Sequence, residues 1–190
     1  MRLLTSLCVA VVLAGGVSLA EAKEIKSGLA PGKFIDAFDV VKCAGAADDG
    51  VEVGDQLCYR CKYGGRPMVM VFARKTDKNL VSLVKKLDAA VEKNADKELA
   101  AFVNLVGEDR EALETEAKEL GEKNKVAKVA IVVPVEYENG PENYGISPDA
   151  TVTVILAAGG KVVGNHAVGE DGLDEDSVKA ILADVKKLVK

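Results

Sequence analysis

The chain has 190 residues, 48% hydrophobic and 29% charged, with a formal net charge of −5 at pH 7. That length holds one domain of ordinary size, and the apolar content is that of a globular chain, not a disordered one. A net negative charge excludes a sequence-independent nucleic-acid binder, which needs a basic face to displace counterions. With no Trp, four Tyr and four Phe, the chain also lacks the aromatics of a single-strand stacking platform.

The first segment in chain order reads as an export leader. Arg2 gives a positive start, residues 3–19 form an apolar run with Gly15 and Gly16 near its end, and Ala20-Glu21-Ala22 carries the small-x-small cleavage pattern. The run is short for a membrane span, contains Gly-Gly and has no basic flank on its far side. Residues 1–22 are therefore expected to be a signal peptide, and the product a periplasmic or extracellular protein with no membrane segment. Residues 23–49 read as an N-terminal arm and 50–190 as one domain.

Beyond the leader, Phe34, Ile35, Phe38, Val40 and Val41 suggest one short strand or an arm lying on the core. Residues 67–73 are a continuous apolar run of strand length, the pattern of a strand buried on both faces. Thr76 or Asp77 can N-cap a helix in which Leu80, Leu83, Val84, Leu87 and Val91 recur at three- and four-residue spacing, stopping near Asn94. The unit repeats, with a strand at 99–106, an amphipathic helix at 109–124 presenting Leu113, Ala117 and Leu120, and a strand at 126–135. A loop at 136–150 carries Asn139-Gly140-Pro141 and Ser147-Pro148. Residues 151–157 and 161–168 form a hairpin about Gly159-Gly160, and a helix at 174–190 buries Val178, Ile181, Leu182, Val185 and Leu188. Crossover helices make the first strands parallel, and the hairpin adds an antiparallel edge. The expected class is α/β, a three-layer sandwich with a central mixed sheet flanked by helices.

This order resembles the thioredoxin fold, and specifically its peroxiredoxin-like branch, the alkyl hydroperoxide reductase/thiol-specific antioxidant superfamily. The likeness rests on Gly54-Asp55 before the first core strand, the strand Arg66-Pro67-Met68-Val69-Met70-Val71-Phe72, and Leu105-Val106-Gly107-Glu108-Asp109. Asn143-Tyr144-Gly145-Ile146 and the hairpin stretches Thr153-Val154-Ile155-Leu156 and Gly160-Lys161-Val162-Val163 complete it, over residues 50–190. The chain departs from the family where the family keeps its attacking cysteine. That segment reads Ala73-Arg74-Lys75-Thr76-Asp77-Lys78-Asn79 and has no thiol, which argues against ordinary peroxiredoxin chemistry. Pro148 lies about four residues too early for the family's cis-proline, and Val152 occupies that slot.

Export opens the cysteines to oxidation. Cys58-Tyr59-Arg60-Cys61 is a CxxC pair, with Cys43 upstream as an odd third thiol. Three readings stand side by side: a displaced redox pair, a structural disulfide stapling the arm, and a metal site shared with Cys43. For the redox reading, Arg60, Lys62 and Arg66 favour a thiolate. The thioredoxin resemblance makes Cys58 the attacking sulfur, Cys61 the resolving one and Cys43 a candidate third. The partner implied is a protein thiol or disulfide. No cofactor motif is present: there is no P-loop, GxGxxG, Gly-x-Ser-x-Gly elbow or haem-binding CxxCH. His166, the only histidine, reads as a solvated or capped strand residue. Asp48, Asp49, Glu52 and Asp55 read as a solvated acidic loop, and Arg74, Lys75 and Lys78 as a solvated basic rim.

Overall fold

The computed structural model describes residues 25–190; the expected signal peptide and Cys8 lie outside the described residues. The elements in chain order are β1 (Val40–Gly45), β2 (Gln56–Leu57), α1 (Tyr59–Tyr63), β3 (Met68–Ala73), α2 (Lys78–Lys93) and β4 (Ala100–Leu105). There follow α3 (Arg110–Asn124), β5 (Ala130–Pro134), β6 (Val152–Ala158), β7 (Lys161–Val168) and α4 (Glu175–Leu188). Among the described residues, the strands join one seven-stranded sheet in the order β2-β1-β5-β4-β3-β6-β7. β3, β4 and β5 run parallel, and β6 returns antiparallel along β3. The fold is mixed α/β, as its periodicities require.

The long helices start where short acids cap them. Asp77, Asp109 and Asp174 each accept a backbone N–H of the first turn, which satisfies an otherwise orphaned donor. α2, α3 and α4 lie on one face, where Leu80, Leu83, Val84, Leu87, Ala117 and Ile181 meet Val69, Val71, Val103 and Val154. Gly121 has a packing reason: a Cβ there would overlap Ala44 Cβ, so its absence lets α3 settle onto β1. The expected strand at 126–135 is shorter in the structure, because Asp88 of α2 captures the N–H groups of Ala127, Lys128 and Val129 before pairing begins.

The opposite face is aromatic. Met68, Met70, Phe72 and Phe102 from the sheet meet Phe38, Tyr59, Tyr63 and Tyr144. Burying one such ring contributes roughly 1.5–3 kcal/mol, offset in part by ordering entropy. Within the stretch 23–49, β1 is a full member of the sheet, paired with β5 from Val40↔Pro134 to Gly45↔Ala130. The residues before it run across the aromatic face, with Ile35 1% exposed.

Candidate functional site

β2 pairs with β1 through Val40↔Leu57 and delivers the chain to Cys58, the N-cap of α1. α1 is a single turn and a half, below the length at which helical periodicity can be read from sequence. It forms because Tyr59 and Tyr63, four residues apart, fall on one side and bury against Phe102, with centroids at 5.7 and 6.2 Å. Gly64, at φ 61°, then ends the helix by returning its N–H to the carbonyl of Arg60.

Cys58 and Cys61 form a disulfide across this turn, with Cα atoms 5.2 Å apart. Cys61 N–H points at Cys58 Sγ at 3.0 Å. Cys61 is exposed and Cys58 half-buried. Cys58, the N-cap of α1, is thus the less accessible residue of the pair. Arg60 donates through Nε to Ile35 O at 3.0 Å, and Arg66 is paired with Glu98 at 3.3 Å. Lys62 is exposed, with no salt bridge among the described residues.

Beneath the pair lies a buried charged cluster that the sequence reading missed. Lys42 of β1 is 2% exposed, and its ammonium donates to Ala46 O at 3.0 Å, Asp49 Oδ1 at 2.8 Å and Val51 O at 2.8 Å. Asp49 Oδ1 also accepts from Val51 N, and Oδ2 accepts from the hydroxyl of Tyr59, the residue between the two cysteines' helix cap and Arg60. Burial pushes the Asp49 carboxyl up, but the hydrogen bonds from Lys42 and Tyr59 outweigh it and hold the group below its ordinary value. Burial, then the Asp49 carboxylate, pushes the Tyr59 phenol far up, so it stays a donor. The acidic loop is solvated at Asp48, Glu52 and Asp55, as expected, and the expectation is corrected at Asp49 alone. Asp49 is ion-paired inside the protein, Asp48 pairs with Lys128, and Asp55 accepts from Glu52 N.

Cys43 stands apart from the pair. It is 6% exposed in the cluster under α3, on the face of the sheet opposite α1. Burial and then the charge of Glu114 push its thiol up to about 11. The three sulfurs do not converge, and among the described residues no group of three His, Cys, Asp or Glu is placed to hold a metal ion. His166 is a half-buried residue of β7 capped by a side chain: its Nε2 meets Asp184 Oδ2 of α4 at 2.9 Å. Arg74 is no rim residue either. It clamps the 136–150 loop, donating to Ala150 O, Glu138 O, Asn139 Oδ1 and Ser147 O.

α1 enters the N-terminal end of β3, beside the β6–β7 turn, where Gly159 N–H bonds Gly65 O at 3.0 Å. The C-terminal end of β3 opens on a groove of about 1100 Å³ lined by Arg74, Lys75, Asp149 and Thr151, among others, with no sulfur. The described residues contain no cis peptide bond. The CxxC and the family's usual thiol position are at opposite ends of one strand.

No family model matches the sequence, and no curated protein matches it. Solved structures do match. One, described as a "putative Thiol:disulfide interchange protein DsbE" of Chlorobium tepidum, superposes with a TM-score of 0.63 at 13% identity, over 85% of this chain and 99% of that one. The thioredoxin domain of a thiol-disulfide oxidoreductase of Bacteroides vulgatus gives 0.59 at 16%, over 85% and 99%. A cysteine-to-serine mutant of Xanthomonas campestris peroxiredoxin Q gives 0.54 at 13%, over 80% and 91%. At these identities the likeness is one of fold. The chain has the thioredoxin-like fold that thiol-disulfide oxidoreductases and peroxiredoxin-like proteins share, with a CxxC disulfide before the first parallel strand.

Proposed function

We propose that this chain is an exported thiol–disulfide exchange protein acting on protein thiols through Cys58 and Cys61. One observation carries the reading: the disulfide has one exposed cysteine, Cys61, on a turn that has other anchors besides the bond. Tyr59, Tyr63 and Arg60 already anchor α1, and a bond closing a separation of three residues adds only about 2 kcal/mol on the chain-entropy account. Export rests on the leader pattern of residues 1–22.

The greater exposure of residue Cys61 favours the following order of events. A partner thiolate attacks Cys61 Sγ, the Cys58–Cys61 bond breaks, and Cys58 leaves as a thiolate that Cys61 N–H stabilises. A second partner thiolate then attacks the partner's own sulfur in the mixed disulfide and releases Cys61. Two electrons pass from the partner dithiol to the pair, and the partner ends as a disulfide. Cys43 takes no part in this scheme.

The test is mass spectrometry of alkylated protein equilibrated across glutathione redox buffers. A midpoint between about −120 and −270 mV is expected, the range of exchange catalysts. A bond still oxidised below about −300 mV marks a structural staple and overturns the proposal.

A further inference from the structure

We infer that the buried Lys42–Asp49–Tyr59 cluster is a positioning device that sets the redox equilibrium of the Cys58–Cys61 pair. The inference deepens the exchange reading and rests on it for its use, although the equilibrium is measurable either way.

The cluster has no spare capacity for a ligand. All three Lys42 ammonium protons are committed, and Asp49 receives Lys42, Val51 N–H and the Tyr59 hydroxyl. A buried ion pair is a poor way to gain stability, because desolvation cancels most of the attraction. What it supplies is direction. Each donor fixes an acceptor, so the Tyr59 hydroxyl has one place to be.

Tyr59 is the first residue of α1 and directly follows Cys58. Arg60, the other residue between the cysteines, is tied to Ile35 O of the segment before β1. The two intervening residues are therefore each held by a contact from outside α1, one by the cluster and one by the arm. With both anchored, the sulfurs stay close whether or not they are bonded. Each thiol then has a high effective concentration at the other, which favours the disulfide. Releasing Tyr59 loosens the first turn and lowers that concentration, so the pair becomes easier to reduce. The reaction read is the disulfide plus two glutathione thiols giving Cys58 and Cys61 thiols plus glutathione disulfide, a two-electron exchange balanced in protons.

The experiment measures the glutathione equilibrium constant of wild type, Tyr59→Phe, Asp49→Asn and Tyr63→Phe, with folding checked by circular dichroism. Tyr59→Phe keeps the buried ring and removes only the hydroxyl, so it remains informative if Asp49→Asn fails to fold. The expected result is an equilibrium shifted about tenfold toward the dithiol in Tyr59→Phe, which is about 30 mV less negative. Tyr63→Phe, a matched ring outside the cluster, is expected to stay within twofold of wild type. A folded Tyr59→Phe within twofold of wild type overturns the inference, as does an equal shift in Tyr63→Phe. A wild-type midpoint below about −300 mV sinks the exchange reading instead, and the variant shifts still decide the positioning role.

Discussion

Replacing Lys42 by Met tests whether the buried cluster holds the fold around the CxxC turn. Methionine refills most of the aliphatic volume, so the cavity contribution is small. The loss is electrostatic. Asp49 is left without its cation, and Ala46 O and Val51 O lose the ammonium proton each receives. Removing one partner of a buried pair costs about 3–5 kcal/mol. Here Asp49 is 11% exposed at its side chain and keeps Val51 N–H and the Tyr59 hydroxyl. Those residual donors place the expected loss at the low end, about 3 kcal/mol, out of a total of about 5–15. In urea that moves the unfolding midpoint down by about 1–3 M. The double variant with Asp49→Asn should lose less than the two single losses added, since the neutral amide no longer needs a cation. A single-variant loss under about 1 kcal/mol would refute the claim that the pair is energetically coupled inside the protein.

The same carboxylate gives a pH dependence. Its folded-state pKa lies below the ordinary value of 3.8, so its contribution is fully present above that pH and is lost as pH falls through the folded value. Wild type is expected to lose stability on acidification below about pH 4 more steeply than Lys42→Met, in parallel urea titrations. A Cys58→Ser/Cys61→Ser variant is expected to remain folded, about 2 kcal/mol less stable in urea than the oxidised protein, and inactive in disulfide exchange. Retained exchange would remove the pair from the chemistry. Cys43, with its thiol pushed up to about 11 and its side chain buried, is expected to alkylate at pH 8 on the order of 100-fold more slowly than an unperturbed thiol, and rapidly once the protein is unfolded. Labelling at an ordinary rate in the folded protein contradicts that placement. Gly121→Ala is expected to destabilise by about 1–3 kcal/mol by thermal or urea unfolding, despite a better helix former, because its methyl meets Ala44. A more stable variant would mean that α3 can back away from β1 without loss.

Local chemistry in the sequence determined the frame of this protein. The six-residue run Met68–Ala73 is apolar at every position, so it had to be buried on both faces, and α2 and α4 repeat their apolar residues at helical spacing. Asp77, Asp109 and Asp174 mark helix starts within one residue, and Gly159-Gly160 marks the hairpin, because caps and tight turns depend only on neighbours. The CxxC spacing likewise announced a closable ring. What joins residues far apart had no local signature. α1 is too short for a period and exists through contact with Phe102, from a strand some forty residues on. Lys42 looks like any solvent-facing lysine until the 46–55 loop folds back and surrounds its ammonium with oxygens. Cys43 and the CxxC pair are near in sequence, yet the sheet passes between them, since the side chain of Cys43 faces α3 while α1 packs on the other face. Which cysteine of the pair is exposed, and what holds the turn that carries it, were decided by tertiary contacts, because exposure and hydrogen-bond partnership belong to the assembled fold and to no single stretch of chain.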